Sequence, residues 1–193
     1  MQEDQAELLK KITSLLDNSN IEYMITGAWS VIFYGRPRAS HDIDFVIELE
    51  KKDFPKAKKL VSQIKNEFAV QEDSIKEAIE KKDMFNFFHL STGLKIDFWL
   101  LTNDEFDKMR FSRRIKVPIL DKEMVISTAE DTILQKLRWH KKAKIEKHLI
   151  DAAFVYQIQK ENLTQKYLKD WAKKLKVEED LEELEKINLE DYF

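Results

Sequence analysis

The stretch TGAWSVIFYGRPRASHDIDFVIEL, residues 26–49, decides how this chain is read. From His41 to Phe45 it alternates polar and apolar residues and then becomes continuously apolar, the pattern of a strand entering a core. On such a strand Asp42 and Asp44 project from one face, roughly 7 Å apart at most, while Ile43 and Phe45 project from the other. With nothing cationic in register, two carboxylates so placed are costly unless a divalent cation sits between them. Upstream, IEYMIT (residues 21–26) reads as a strand, and Gly27 opens AWSVIFYG, a short buried helix closed by Gly35. A helix that starts directly after a strand aims its first N–H groups and its positive dipole end at one point, which suits a triphosphate.

A third carboxylate lies farther along. MFNFFHL (84–90), the turn STG and KIDFWLL (95–101) form a hairpin around Gly93, and its second arm sets Lys95, Asp97 and Trp99 on one face against Ile96 and Phe98 on the other. If the two aspartate strands are neighbours, Asp42, Asp44 and Asp97 converge. Hard oxygen ligands without His or Cys favour magnesium or manganese, and a pair of such ions is the usual device for in-line phosphoryl or nucleotidyl transfer.

Composition closes off other chemistries. Zero cysteine in 193 residues removes disulfides, zinc–thiolate centres, iron–sulfur clusters and thiol nucleophiles. No GxGxxG, GxxxxGK[ST], GxSxG or HExxH occurs, so dinucleotide, P-loop, serine-hydrolase and zincin readings lose their signatures. The formal net charge of −3 withholds the overall cationic field of a non-specific nucleic-acid binder. No apolar run approaches the roughly 18–20 residues of a membrane span, and the acidic, amphipathic opening MQEDQAELLKK is unlike a secretion signal, so the expected location is cytoplasmic and off the membrane.

Around this centre the periodicity predicts an opening helix over residues 3–18, a helix over 51–68, a polar helix near 74–81, a short helix near 104–111 and two strands in RRIKVPIL and EMVIS. A capping box, Ser127 to Glu130, then opens a C-terminal third of three or four helices. The expected fold is mixed α/β (α+β), a mixed sheet with flanking helices over residues 1–126 followed by a helical bundle over 127–193.

The segment 26–49 resembles the glycine-turn and hDhDh signature of the polymerase-beta-like nucleotidyltransferase superfamily, and KIDFWLL resembles its third-acid strand. More narrowly, the order G-A-x-S, Y-G-R-x-R-A-S-x-D-I-D, with AEDTILQKLRW and the KHLID helix, is similar to the AbiEii-like nucleotidyltransferases of abortive-infection and toxin–antitoxin systems. The resemblance implies that Asp42 and Asp44 hold two metal ions, Mg2+ or Mn2+, and that Asp97 shares one and helps deprotonate the acceptor hydroxyl. It implies that Gly27, Ala28 and Ser30 form the nucleotide turn, with Ala28 standing where the superfamily usually has Gly or Ser, and that Lys136 reaches toward the NTP.

Arg36 and Arg38 are candidates to clamp phosphate, against a reading as solvated loop arginines. The basic run 136–148 is either a solvated helix face or a contact for triphosphate or RNA backbone. Asp151, set among alanines, is read as a structural or cleft-facing carboxylate. The expected activity is metal-dependent transfer of a nucleoside monophosphate from an NTP to a hydroxyl, with pyrophosphate released. Toxin-like relatives imply a tRNA or protein acceptor and a cognate antitoxin, and resistance relatives imply an antibiotic hydroxyl. A nucleotide-binding or interaction module that keeps the fold without turnover is the third reading.

Overall fold

The computed structural model describes residues 2–192. Its elements run α1 (Gln2–Asn18), β1 (Tyr23–Thr26), α2 (Gly27–Tyr34), β2 (Asp42–Ile47), α3 (Phe54–Ile64), β3 (Phe68–Ala69), α4 (Glu72–Lys81), β4 (Met84–His89), β5 (Lys95–Leu100), α5 (Glu105–Ser112), β6 (Ile115–Ile119) and β7 (Lys122–Ile126). Then come α6 (Ala129–Ala143), α7 (Glu146–Gln159), α8 (Gln165–Leu175) and α9 (Glu178–Glu183). Two compact units result: one takes in the chain up to Ala28 together with Ala39–Ile126, the other Trp29–Arg38 together with the chain from Ser127 onward.

The first unit is built on a mixed seven-stranded sheet of order β3-β4-β5-β2-β1-β7-β6. Strand pairs β2–β5 and β1–β7 are parallel and the rest antiparallel. Alternation sorts the side chains onto two faces. On one, Phe45, Phe85, Phe87 and Phe98 pack ring to ring, and Leu16 of α1, Leu60 of α3 and Ile75 of α4 join Phe85, Phe87 and Phe98 around a small apolar cavity. The stripe Leu8, Leu9, Ile12 and Leu16 that predicts α1 is buried. On the other face, Met24, Val46 and Phe111 of α5 form a smaller cluster with Trp99 and Leu101 against it. Both sheet edges are short or interrupted: β3 has two residues, and β6 carries Pro118.

Two expectations about elements change. The helix over 51–68 stops at Ile64, because buried Phe68 leaves the helical stripe to pair with His89 as β3. The cap at the start of α6 is Thr128 rather than Ser127, and it is not the capping box expected with Glu130: the Thr128 hydroxyl accepts from the Asp131 N–H and itself donates to Asp131 Oδ2 at 2.7 Å.

In the second unit α6 and α7 are the central pair. Glu130 accepts from the Thr164 N–H at 3.0 Å, and the Tyr167 hydroxyl donates to Asp131 at 2.6 Å, so consecutive acids of α6 hold the start of α8. Residues 29–38 group with these helices for visible reasons: the Arg36 guanidinium lies 3.9 Å from the Phe154 ring centroid, Gln159 donates to the Tyr34 carbonyl, and Arg38 pairs with Asp151. Among the described residues no helix is long and apolar enough to cross a membrane.

Candidate active site

The parallel pairing of β2 with β5 sets Asp44 opposite Asp97 and Asp42 opposite Lys95. Antiparallel neighbours extend the first row on each side, with Thr26 of β1 opposite Asp44 and Asn86 of β4 opposite Asp97. The three aspartates therefore share one face of two adjacent strands, as alternation predicts. Asp42 and Asp44 are half-buried, whereas Asp97 is only 5% exposed.

The expectation that nothing cationic stands in register is overturned by Lys95. Its ammonium lies 2.9 Å from Asp97 Oδ2 and 3.6 Å from Asp42 Oδ1. Sequence alternation places Lys95 on this face, but its pairing with Asp42 depends on the β2–β5 register. The hydrogen bond to Asp97, with the charges of Asp97 and Asp42, holds Lys95 above its ordinary pKa. Burial pushes the Asp97 carboxyl up despite the opposing effect of Lys95. Asp97 Oδ1 is buried and has no hydrogen-bond partner among the described residues.

Gly27 has φ +64°, a left-handed conformation that turns β1 straight into α2. It also leaves room for the acid: a Cβ at this position would stand 2.0 Å from Asp44 Oδ2. On the other side of Asp44, the Trp99 indole N–H approaches Oδ1 at 3.5 Å. Asp44 is thus boxed in by the start of α2, an aromatic edge and the Asp97 strand.

These carboxylates suit a divalent ion in donor type, since all are hard oxygens and one buried oxygen is unsatisfied. Among the described residues no three acidic or imidazole side chains already converge on an ion-sized point.

The remaining candidates are distributed as follows. Ala28 and Ser30 are buried in α2, Ser30 to 1% exposure. Arg36 stacks on Phe154 and donates to the Tyr192 carbonyl. Arg38 and Lys136 meet on one oxygen of Asp151, at 2.9 and 2.8 Å, with Asp151 1% exposed. Sequence reasoning singles out all three residues but not their union, because Arg38 and Asp151 are 113 positions apart. His148, on the same helix as Asp151, is held neutral: burial and the neighbouring Lys136 pull its pKa down to about 4. In the basic run Lys141, Lys142, Lys144 and Lys147 are exposed.

Comparison with known proteins gives a fold, and a match to a family model over part of the chain. Residues 8–82, which hold Gly27, Asp42 and Asp44, match the model of the aminoglycoside-2″-adenylyltransferase family. The solution structure of the antibiotic-resistance factor ANT(2″)-Ia superposes with a TM-score of 0.61 at 12% identity, over 91% of this chain and 93% of that one. Its crystal structure in complex with adenylyl-2″-tobramycin gives 0.57 at 13% identity, over 90% and 97%. An antigenic nucleotidyltransferase-like protein from Paracoccidioides brasiliensis gives 0.56 at 13% identity, over 93% and 90%. By sequence, no curated protein matches this chain. The mixed sheet with flanking helices is a nucleotidyltransferase-like fold.

Proposed function

We propose that this chain is a divalent-metal-dependent nucleotidyltransferase that moves a nucleoside monophosphate, AMP first among them, from an NTP to a hydroxyl of a small polycationic acceptor of the aminoglycoside class. The acceptor oxygen forms a bond to the α-phosphorus, the bond to the β-phosphate oxygen breaks, and pyrophosphate leaves. The observation that carries the reading is the arrangement of Asp42, Asp44 and Asp97 on one face of adjacent strands, beside a helix that begins at Gly27. The family match over residues 8–82 supports the transfer and the acceptor class, and a net charge of −3 suits a cationic acceptor.

Asp42, Asp44 and Asp97 would hold the metal, two Mg2+ ions in the full reading. When bound, it supplies positive charge against the developing charge on the attacking and leaving oxygens. The protein's own groups do the rest. Asp97 takes the acceptor's hydroxyl proton at its unsatisfied Oδ1, and burial strengthens it as a base. Gly27 brings the positive end of α2 to the phosphates without a side chain in the way. Trp99 steadies the Asp44 carboxylate from the far side.

A second reading, transfer to tRNA or protein by a cytoplasmic toxin-type enzyme of the AbiEii-like kind with a cognate antitoxin, is favoured by exposed Lys141, Lys142, Lys144 and Lys147. One assay separates the two. Purified protein is incubated with each NTP, carrying a label in its nucleoside, and Mg2+, with tobramycin or with total RNA as acceptor, and both released pyrophosphate and label in the acceptor are measured. Release that requires tobramycin and is lost in Asp44→Asn supports the first reading, label incorporated into RNA supports the second, and no release in any combination overturns both.

A further inference from the structure

Among the described residues, Lys95 is the charged group beside the carboxylates that the transfer reaction above leaves without a task. It shares a face with Asp97 on β5 and stands opposite Asp42 on β2. Its ammonium spans the two, at 2.9 Å from Asp97 Oδ2 and 3.6 Å from Asp42 Oδ1. This span links the two strands at the place where the acidic oxygens must close on a metal.

We infer that Lys95 is a tethered competitor of the divalent ion, bridging Asp42 and Asp97 in the ion-free protein and leaving that bridge when an ion takes both carboxylates. The inference rests on the metal-dependent reading of the site. Three observations support it. An ammonium and a divalent cation repel strongly at contact distance in a poorly solvated site, so one carboxylate pair does not hold both. The lysine also satisfies Asp97 incompletely: it occupies Oδ2, while Oδ1 is buried and unpartnered among the described residues, in a residue only 5% exposed. A carboxylate can accept about four hydrogen bonds or a metal at either oxygen, so Asp97 is poised to exchange a weak partner for a stronger one. Finally, the Lys95 side chain is 30% exposed on a four-carbon stem, which gives the ammonium a route to water.

In this scheme the lysine does two jobs. Without an ion it offsets the repulsion among Asp42, Asp44 and Asp97, which otherwise opposes the pairing of β2 with β5. With an ion it is the penalty that keeps metal affinity modest, so that the ion stays only when a further ligand such as a triphosphate adds its own oxygens. Lys95 is therefore a positioning residue, and its effect falls on metal binding before any turnover.

The test uses the full chain and Mn2+ alone. Titration calorimetry, with electron paramagnetic resonance counting free Mn2+, compares wild type with Lys95→Met, and a thermal melt of each confirms that both are folded. Lys95→Met is expected to bind Mn2+ about tenfold more tightly or better. Equal or weaker binding overturns the competition while leaving the transferase reading intact, whereas no binding by either protein overturns both. A second measurement needs no variant. Amine labelling of wild type, read at Lys95 by peptide mass spectrometry, is expected to rise several-fold when Mn2+ is added, while other lysines hold constant. Labelling of Lys95 that is indifferent to Mn2+ overturns the proposal.

Discussion

Gly27 and Asp44 are in direct contact: a Cβ on the glycine would stand 2.0 Å from Asp44 Oδ2 and 2.5 Å from its Cγ. Residue 27 also has φ +64°, where an L side chain costs roughly 1–2 kcal/mol. Gly27→Ala therefore carries two penalties, backbone strain and displacement of the acid. The expected result is a lower melting temperature and a loss of turnover of roughly a hundredfold or more, since a shift of about 1 Å at a reacting centre has that effect. Calorimetry and the pyrophosphate assay read the two separately.

Asp97→Asn separates stability from activity. Burial raises the Asp97 pKa, so the folded state favours its protonated form, and the stability it contributes is present below the ordinary carboxylate range and lost as pH rises through the raised value. Above that value the charged acid opposes folding. The amide is expected to melt at or above wild type at neutral pH, with the gap closing on acidification, while turnover falls by roughly 10²–10⁴. Melting curves across pH beside the same assay check both parts.

Asp151 neutralises Arg38 and Lys136 through one buried oxygen, and all three side chains are largely out of water. Removing the acid takes away the buried oxygen on which both positive charges converge. Asp151→Ala is expected to lower unfolding free energy by about 3 kcal/mol or more in urea titration. The double variant Asp151→Ala with Lys136→Met recovers part of that loss, because the repulsion between the two cations goes with the lysine.

His148 gives an acid limb of the opposite kind. Its pKa is lowered from the ordinary 6.5 to about 4, chiefly by burial and next by Lys136. The stability it contributes is fully present above about 6.5 and is lost as pH falls toward about 4, where the unfolded chain takes up the proton first. The melting temperature of wild type is expected to fall more steeply between these values than that of His148→Leu. Parallel curves for the two proteins would rule the effect out.

Much of the site is legible in the sequence because strands have a period of two. Asp42 and Asp44 announce a shared face by alternating with Ile43 and Phe45, and Asp97 does the same with Ile96 and Phe98. What alternation does not contain is register between strands distant along the chain, so the Lys95–Asp42 pairing becomes visible only once β2 and β5 are aligned. The Arg38–Asp151–Lys136 union is hidden for the same reason, with a separation of 113 residues between the first two. Local ambiguity explains other departures. The adjacent hydroxyls of Ser127 and Thr128 offer two capping frames, and the choice of Thr128 is made by Asp131, while Glu130 is drawn off to the start of α8. Strand β3 is too short for any periodicity to mark it and exists because Phe68 pairs with His89.

The two-residue β3 and the proline within β6 bear on how the folded protein behaves at high concentration. Templated addition of another molecule needs a long, flat row of open amides, and the sheet ends on one side in a stub and on the other in a strand that lacks a donor at Pro118. Strand addition to the native sheet is thereby disfavoured at both of its ends.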